Sequence, residues 1–294
     1  MHQQTKLGQA RRLSVITDIL IFFLILILAL ILISIFDIDI KFSDNEYEEL
    51  ALVSNLDSSS YSVEEENMYY ISQIKEKYNI IVSYGENTKN SANKVDATVQ
   101  ENELIVNNNL KILLDALKKY PQDLFKVINH SNYSINIYLV NSFNNDNLAL
   151  ASRNNLNEYK IYISNNSKFE RSFHHEMYHI LEYFMKSKNP TLANDWFKLN
   201  PSEFSYTGTT ENLNRDYVYY VASDLKNAYF VSKYSKVSDK EDRAEVFSEI
   251  MVMDTKKEYL NNGENIYKKA NYITNDLHKF ITQTEFYIDK IMEE

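Results

Sequence analysis

FHHEMYHIL, Phe173 to Leu181, decides the reading of this 294-residue chain. Phe173, Met177, Ile180 and Leu181 recur at helical spacing, so the stretch is expected to form a helix with one buried apolar face. Within it, His175, Glu176 and His179 form the pattern HExxH. Residues four apart lie one turn apart on the same face, so both imidazoles can reach one ion while Glu176 flanks it. Neutral imidazole suits zinc, and a neighbouring carboxylate can take a proton from zinc-activated water. His174 lies five residues before His179 and is turned away from their shared face, which makes it a flanking polar residue. Glu182 does share that face. Three ligands along one straight helix cannot surround an ion tetrahedrally, however, so Glu182 reads as a surface carboxylate near the site.

A hydrolytic zinc site needs a third protein ligand and an open position. The next histidine after His179 is His278, which excludes the HExxHxxGxxH arrangement. The acidic candidates include Asp195, Glu203, Glu211, Asp216, Asp239, Glu241, Asp242, Glu245 and Glu249, and spacing does not choose among them. The segment from Tyr229 to Met251, YFVSKYSKVSDKEDRAEVFSEIM, stands out. Its second half has helical apolar spacing at Ala244, Phe247, Ile250 and Met251, with Ser238 or Asp239 as caps. Glu241, Glu245 and Glu249 recur every four residues. Like charges at that spacing repel, so either they form a solvated acidic face or at least one has a cation partner.

HHEMYH, followed by Tyr234 and then by Glu241 in EDRAEVF, resembles the catalytic domains of anthrax lethal factor and the Pro-Pro endopeptidases. These are gluzincin metallopeptidases that carry a tyrosine, six residues, then Glu-x-x-Ala-Glu-x-Phe. The resemblance implies a zincin-like metallopeptidase domain with one Zn2+ held by His175, His179 and Glu241, and with Glu245 behind the ligands. It implies Glu176 as general base and Tyr234 as hydrogen-bond donor to the oxyanion formed when a peptide carbonyl is attacked. NDWFKLNPSEFSY, Asn194 to Tyr206, resembles a stretch of bacterial zinc peptidases of this type. The likeness covers mainly residues 170–253. Sixty-one residues separate His179 from Glu241, more than in the two named families, so no preference for proline is carried over.

Composition sets the limits on other readings. There are no cysteines, so disulfides, thiolate metal sites and a cysteine nucleophile are excluded, and any metal site must use His, Asp and Glu. A net charge of -10 without a basic stripe argues against nucleic acid as a partner. Hydrophobic content of 44% suffices for a substantial core.

Every residue from Ile19 to Ile33 is apolar. Residues 15–36, roughly 33 Å long as a helix, would cross a hydrocarbon core of about 30 Å. No small-x-small cleavage site follows, so the span reads as an uncleaved signal anchor in the lipid bilayer. Lys6, Arg11 and Arg12 precede it and Asp37, Asp39, Asp44, Glu46, Glu48 and Glu49 follow it. The expected arrangement is therefore a single-pass cell-membrane protein with its amino terminus, residues 1–14, in the cytoplasm and the rest extracellular.

Residues 37–66 read as an acidic, serine-rich stalk. Residues 67–294 read as one α+β domain. NMYYISQIKEKYN is expected to be helical and NIIVSYGE a strand; ELIVNNNLKILLDALKKY is expected to give a strand or turn and a helix, with Pro121 opening a further turn. INIYLVNSF and YKIYIS alternate as strands, with a hairpin or loops between them. Of these, Tyr159 to Ser164 is the strand expected to pair with an extended substrate. The function expected is zinc-dependent hydrolysis of peptide bonds in a peptide or protein outside the membrane. The alternative is a catalytically inactive zinc-binding scaffold or adhesion domain at the cell surface. Intramembrane proteolysis is disfavoured, because charged residues flank the motif and no second apolar span follows.

Overall fold

The first helix begins earlier than its apolar spacing predicts. In the computed structural model, which describes residues 62–154, 157–209, 228–256, 260–261, 264–281 and 285–293, α1 spans Val63–Tyr78. Ser62 caps it: its side chain accepts from the Glu65 N–H at 3.2 Å, and the Glu65 carboxylate accepts from the Ser62 N–H at 2.8 Å. Glu64, Glu65 and Glu66 fill the first turn, where negative charge is favourable. Residues 62–66, expected to close the stalk, are thus the cap and first turn of this helix. The Ser62→Ala variant is expected to lose about 1 kcal/mol in urea unfolding; an unchanged midpoint would show that the acidic turn holds without its cap.

Asn79, at φ 53°, ends α1 and leads into β1, Ile80–Ser83. A short α2, Lys89–Asn93, and β2, Ala97–Val99, follow. ELIV forms no strand but opens α3, Glu103–Leu117, because the Asn102 side chain accepts from the N–H groups of Leu104 and Ile105 and so starts a helix there. Pro121 sits at the cap of α4, Gln122–His130. The remaining elements are β3, Ser134–Phe143; β4, Ala149–Arg153; β5, Glu158–Ser164; α5, Phe169–Lys188; α6, Asp239–Met251; α7, Asn265–His278; and α8, Tyr287–Glu293.

The sheet runs β1-β3-β5-β4, with β2 also on β3. β1 and β5 are parallel to β3, whereas β4 is antiparallel to β5 and forms a hairpin with it. Ile80, Val82, Ile135, Ile137, Leu139, Tyr159, Ile161 and Ile163 belong to the main core, which also takes Phe173, Met177, Ile180 and Leu181 of α5. A smaller cluster of Ala92, Ala97, Val140, Phe143 and Tyr162 includes the alternate positions of these strands, as the two-residue period of a strand requires.

Because β5 is paired on both sides, its backbone has no groups left for a substrate, and the expectation placed on Tyr159 to Ser164 is corrected. The edge strand beside β5 is β4. Ser164 N–H donates to Leu148 O and Asn154 N–H to Glu158 O. Antiparallel alternation then turns the backbone groups of Ala149, Ala151 and Arg153 away from β5.

The described residues fall in one compact unit, Tyr61–Glu294. The expected tail at 1–14 and membrane span at 15–36 lie outside the described residues, as does the stalk as far as residue 61. Among the described residues, no helix is long and apolar enough to cross a membrane.

Candidate metal centre

Helix α5 carries HExxH and runs beside α6, which Ser238 caps through its side chain and the Glu241 N–H at 3.2 Å. The cap places Glu241 in the first turn of α6, opposite the two histidines. His175 Nε2 lies 2.9 Å from Glu241 Oε2 and 3.2 Å from His179 Nε2, and His179 Nε2 lies 3.5 Å from Glu241 Oε2. These three atoms form a triangle. Zinc with bonds of about 2.0–2.1 Å in tetrahedral geometry spans ligand atoms about 3.3 Å apart.

The donor set fits a cation for a second reason. His175 Nδ1 lies 2.8 Å from Glu245 Oε1, and Arg171 approaches the same carboxylate at 2.9 and 3.3 Å. Burial would raise the Glu245 carboxyl, but the charge of Arg171 and the His175 hydrogen bond outweigh it and hold it well below the usual range. A carboxylate only accepts, so Nδ1 donates. In neutral His175, Nε2 then presents a lone pair to Glu241 and His179. Lone pairs converge in this way around a cation. Either a proton fills the role, since hydrogen bonds to Glu241 and Glu245 overcome burial and push the His175 pKa up to about 10, or a metal ion does. His175, His179 and Glu241 are the residues that could hold it.

Glu176 is buried, with 8% of its surface exposed. It lines a cleft with His175, Tyr234, Glu245, Arg171 and the chain from Asn147 to Ala149. Burial raises its carboxyl pKa; the charges of His175 and His179 and the backbone N–H of Ala151 oppose the rise, and Glu241 adds to it. Tyr234, in the single 3-10 turn Tyr234–Lys236 before α6, has its ring centroid 5.9 Å from that of His175.

The structure therefore brings together His175, Glu176, His179, Tyr234, Glu241 and Glu245. Of the two readings of the glutamate repeat, the structure shows the cation partner: Arg171 serves Glu245 and, at 3.5 Å, Glu249. Asp195 is exposed and pairs with Lys198. Asp242 is buried and pairs with Lys269.

Two sequence expectations are corrected. Glu182 is not at the surface: only 1% of it is exposed, Arg243 Nε donates to it at 2.7 Å, and Arg243 Nη2 forms an ion pair with it at 2.6 Å. His174, expected as a flanking polar residue, is fully buried, with Nδ1 2.7 Å from the Tyr120 hydroxyl. The stretch from Asn194 to Tyr206 also contributes behind the site: Trp196 Nε1 and the Tyr206 hydroxyl donate to Asp242, the residue after Glu241, at 3.0 and 2.8 Å.

No protein-family model matches this chain, and no curated protein matches it. The chain is similar to a crystal structure described as a "putative zinc-binding metallo-peptidase" from Bacteroides caccae, at 14% identity and a TM-score of 0.47, over 80% of this chain and 92% of that one.

Proposed function

We propose that this chain is a membrane-anchored zinc endopeptidase with one Zn2+ held by His175, His179 and Glu241. The observation that carries the proposal is the triangle of ligand atoms with sides of 2.9, 3.2 and 3.5 Å, drawn from two helices and matching a tetrahedral face. When bound, zinc supplies Lewis acidity that acidifies water near neutral pH.

The chain's own residues supply the rest. Glu176, buried in the cleft wall, accepts the proton from water and returns it to the leaving amine. The Tyr234 phenol donates to the developing oxyanion. Glu245 fixes His175 in the tautomer that leaves Nε2 free for metal, and Arg171 keeps Glu245 ionised. The outward backbone groups of β4, apart from the Ala151 N–H that Glu176 takes, accept an extended peptide as an added strand, and Asn147 to Ala149 lead it into the cleft. The anchor at residues 15–36 and the extracellular placement of the domain rest on the apolar run and the charges flanking it.

The test is metal analysis of the purified full chain, followed by a degenerate peptide library incubated with and without a zinc chelator. About one zinc per chain is expected, with cleavage that the chelator abolishes and zinc restores. A chain that takes up no zinc would refute the site. Zinc uptake without cleavage of any peptide would favour the inert scaffold.

A further inference from the structure

The buried pair Arg243 and Glu182 has no part in the chemistry proposed above. Arg243 lies on α6, two residues after Glu241, and Glu182 lies on α5, three residues after His179. Nε of Arg243 donates to Glu182 Oε1 at 2.7 Å, and Nη2 forms ion pairs with the same oxygen at 2.6 Å and with Asp239 Oδ2 at 3.0 Å. The guanidinium carbon stands 5.5 Å from the Trp196 ring centroid. Lys186 reaches the same Glu182 oxygen at 3.0 Å. The Arg243 and Glu182 side chains are 1% and 2% exposed. Neither side chain has a hydrogen bond or ion pair with His175, His179 or Glu241 among the described residues.

A second arginine crosses between the same helices in the opposite sense. Arg171 of α5 reaches Glu245 and Glu249 of α6. Along α5 the two histidines therefore sit between two ties, with Arg171 and Glu245 on the His175 side and Arg243 and Glu182 on the His179 side, and along α6 both ties follow Glu241. Each helix gives one arginine and receives the other.

Burying an isolated ion pair seldom stabilises a fold better than apolar residues of the same volume. Stability alone is thus a poor reason for this pair. A planar guanidinium that donates through Nε while Nη2 lies against the same carboxylate has a direction as well as an energy. Two such ties between one pair of helices resist sliding and rotation of one helix along the other. A metal triangle drawn from two helices tolerates little such motion, because ligand positions must hold to about 0.5 Å.

We infer that Arg243 and Glu182 are positioning residues that set the register of α6 on α5, and thereby the distance from Glu241 to the two histidines. The inference rests on the metal site proposed above.

The test compares the purified full chain with Glu182→Gln, with Arg243→Lys and with the double replacement Glu182→Met plus Arg243→Met. Zinc affinity is measured by chelator competition, the site geometry by the visible absorption of bound Co2+, and the fold by circular dichroism of the metal-free protein. The double variant is expected to keep its metal-free melting midpoint, since the apolar pair fills the same space. Its zinc affinity is expected to fall about ten-fold, with a changed Co2+ spectrum, as outer partners of metal ligands typically cause. Arg243→Lys keeps the charge but loses the fork, so it should lose affinity in the same direction. Folded variants with wild-type zinc affinity and Co2+ spectra would overturn the inference while leaving the site intact. Failure of every variant to fold would also overturn it, by making the pair a condition of the fold. A wild-type chain that binds no zinc would instead remove the site on which the inference rests.

Discussion

Glu176→Gln is expected to lower peptide hydrolysis by about 10²–10⁴-fold, the usual contribution of a positioned general base, while zinc content stays at wild type. Glutamine keeps the volume and leaves His175, His179 and Glu241 untouched, so the triangle of ligand atoms persists. What it loses is the ability to accept a proton. The position suits that role: Glu176 is buried in the cleft wall, and burial raises its carboxyl pKa against the pull of the two histidines. A general base is most effective when its pKa lies near the working pH. The check is a rate on a cleaved library peptide together with metal analysis of the same sample. Hydrolysis within a few-fold of wild type, with zinc bound, would place the base elsewhere.

Lys269→Met should remove about 3–5 kcal/mol of stability, the cost of leaving one charge of a buried pair alone. Lys269 and Asp242 are both 0% exposed, and the ammonium donates to Asp242 Oδ2 and to Tyr229 O, each at 2.6 Å. The lysine also stands 4.1 Å from the Phe230 ring centroid. Burial pushes the Asp242 carboxyl up and the Lys269 ammonium down, each away from its charged form, and each charge opposes the shift of the other. Methionine keeps the stem of the lysine but leaves the carboxylate to Tyr206 and Trp196. Against a typical total of about 5–15 kcal/mol, the loss is large. Urea unfolding measures it, and a loss below about 1 kcal/mol would mean that Asp242 is neutral in the fold.

The local half of the candidate site was legible because its information is local. The apolar positions of FHHEMYHIL are all buried as their spacing required, and HExxH places two imidazoles together by helix geometry alone. The elements of the sheet were legible too, but not their order. Alternation in YKIYIS looks the same whether a strand is interior or at an edge. What distinguishes β5 from β4 is that β5 is paired on both sides and β4 on one, which depends on long-range pairing.

Burial of polar residues was the least legible feature. Glu182 looked like a surface carboxylate because its partner Arg243 lies 61 residues away, and His174 looked like a neighbour because its partner Tyr120 lies 54 residues before it. Glu241 was one of many acidic candidates by spacing, and only the family resemblance selected it. The structure brings it to the histidines without reference to that resemblance.

The placement of the third candidate ligand on a helix far along the chain has a thermodynamic consequence. In an unfolded chain, His175 and His179 remain close neighbours while Glu241 is a distant segment away, so the three-sided site does not exist there. Any ion that requires all three ligands therefore binds the native state alone, and its binding free energy adds to that of folding. At a free concentration one hundred times the dissociation constant, that linkage amounts to about 2.7 kcal/mol. Metal supply around such a chain would set its lifetime as well as its activity.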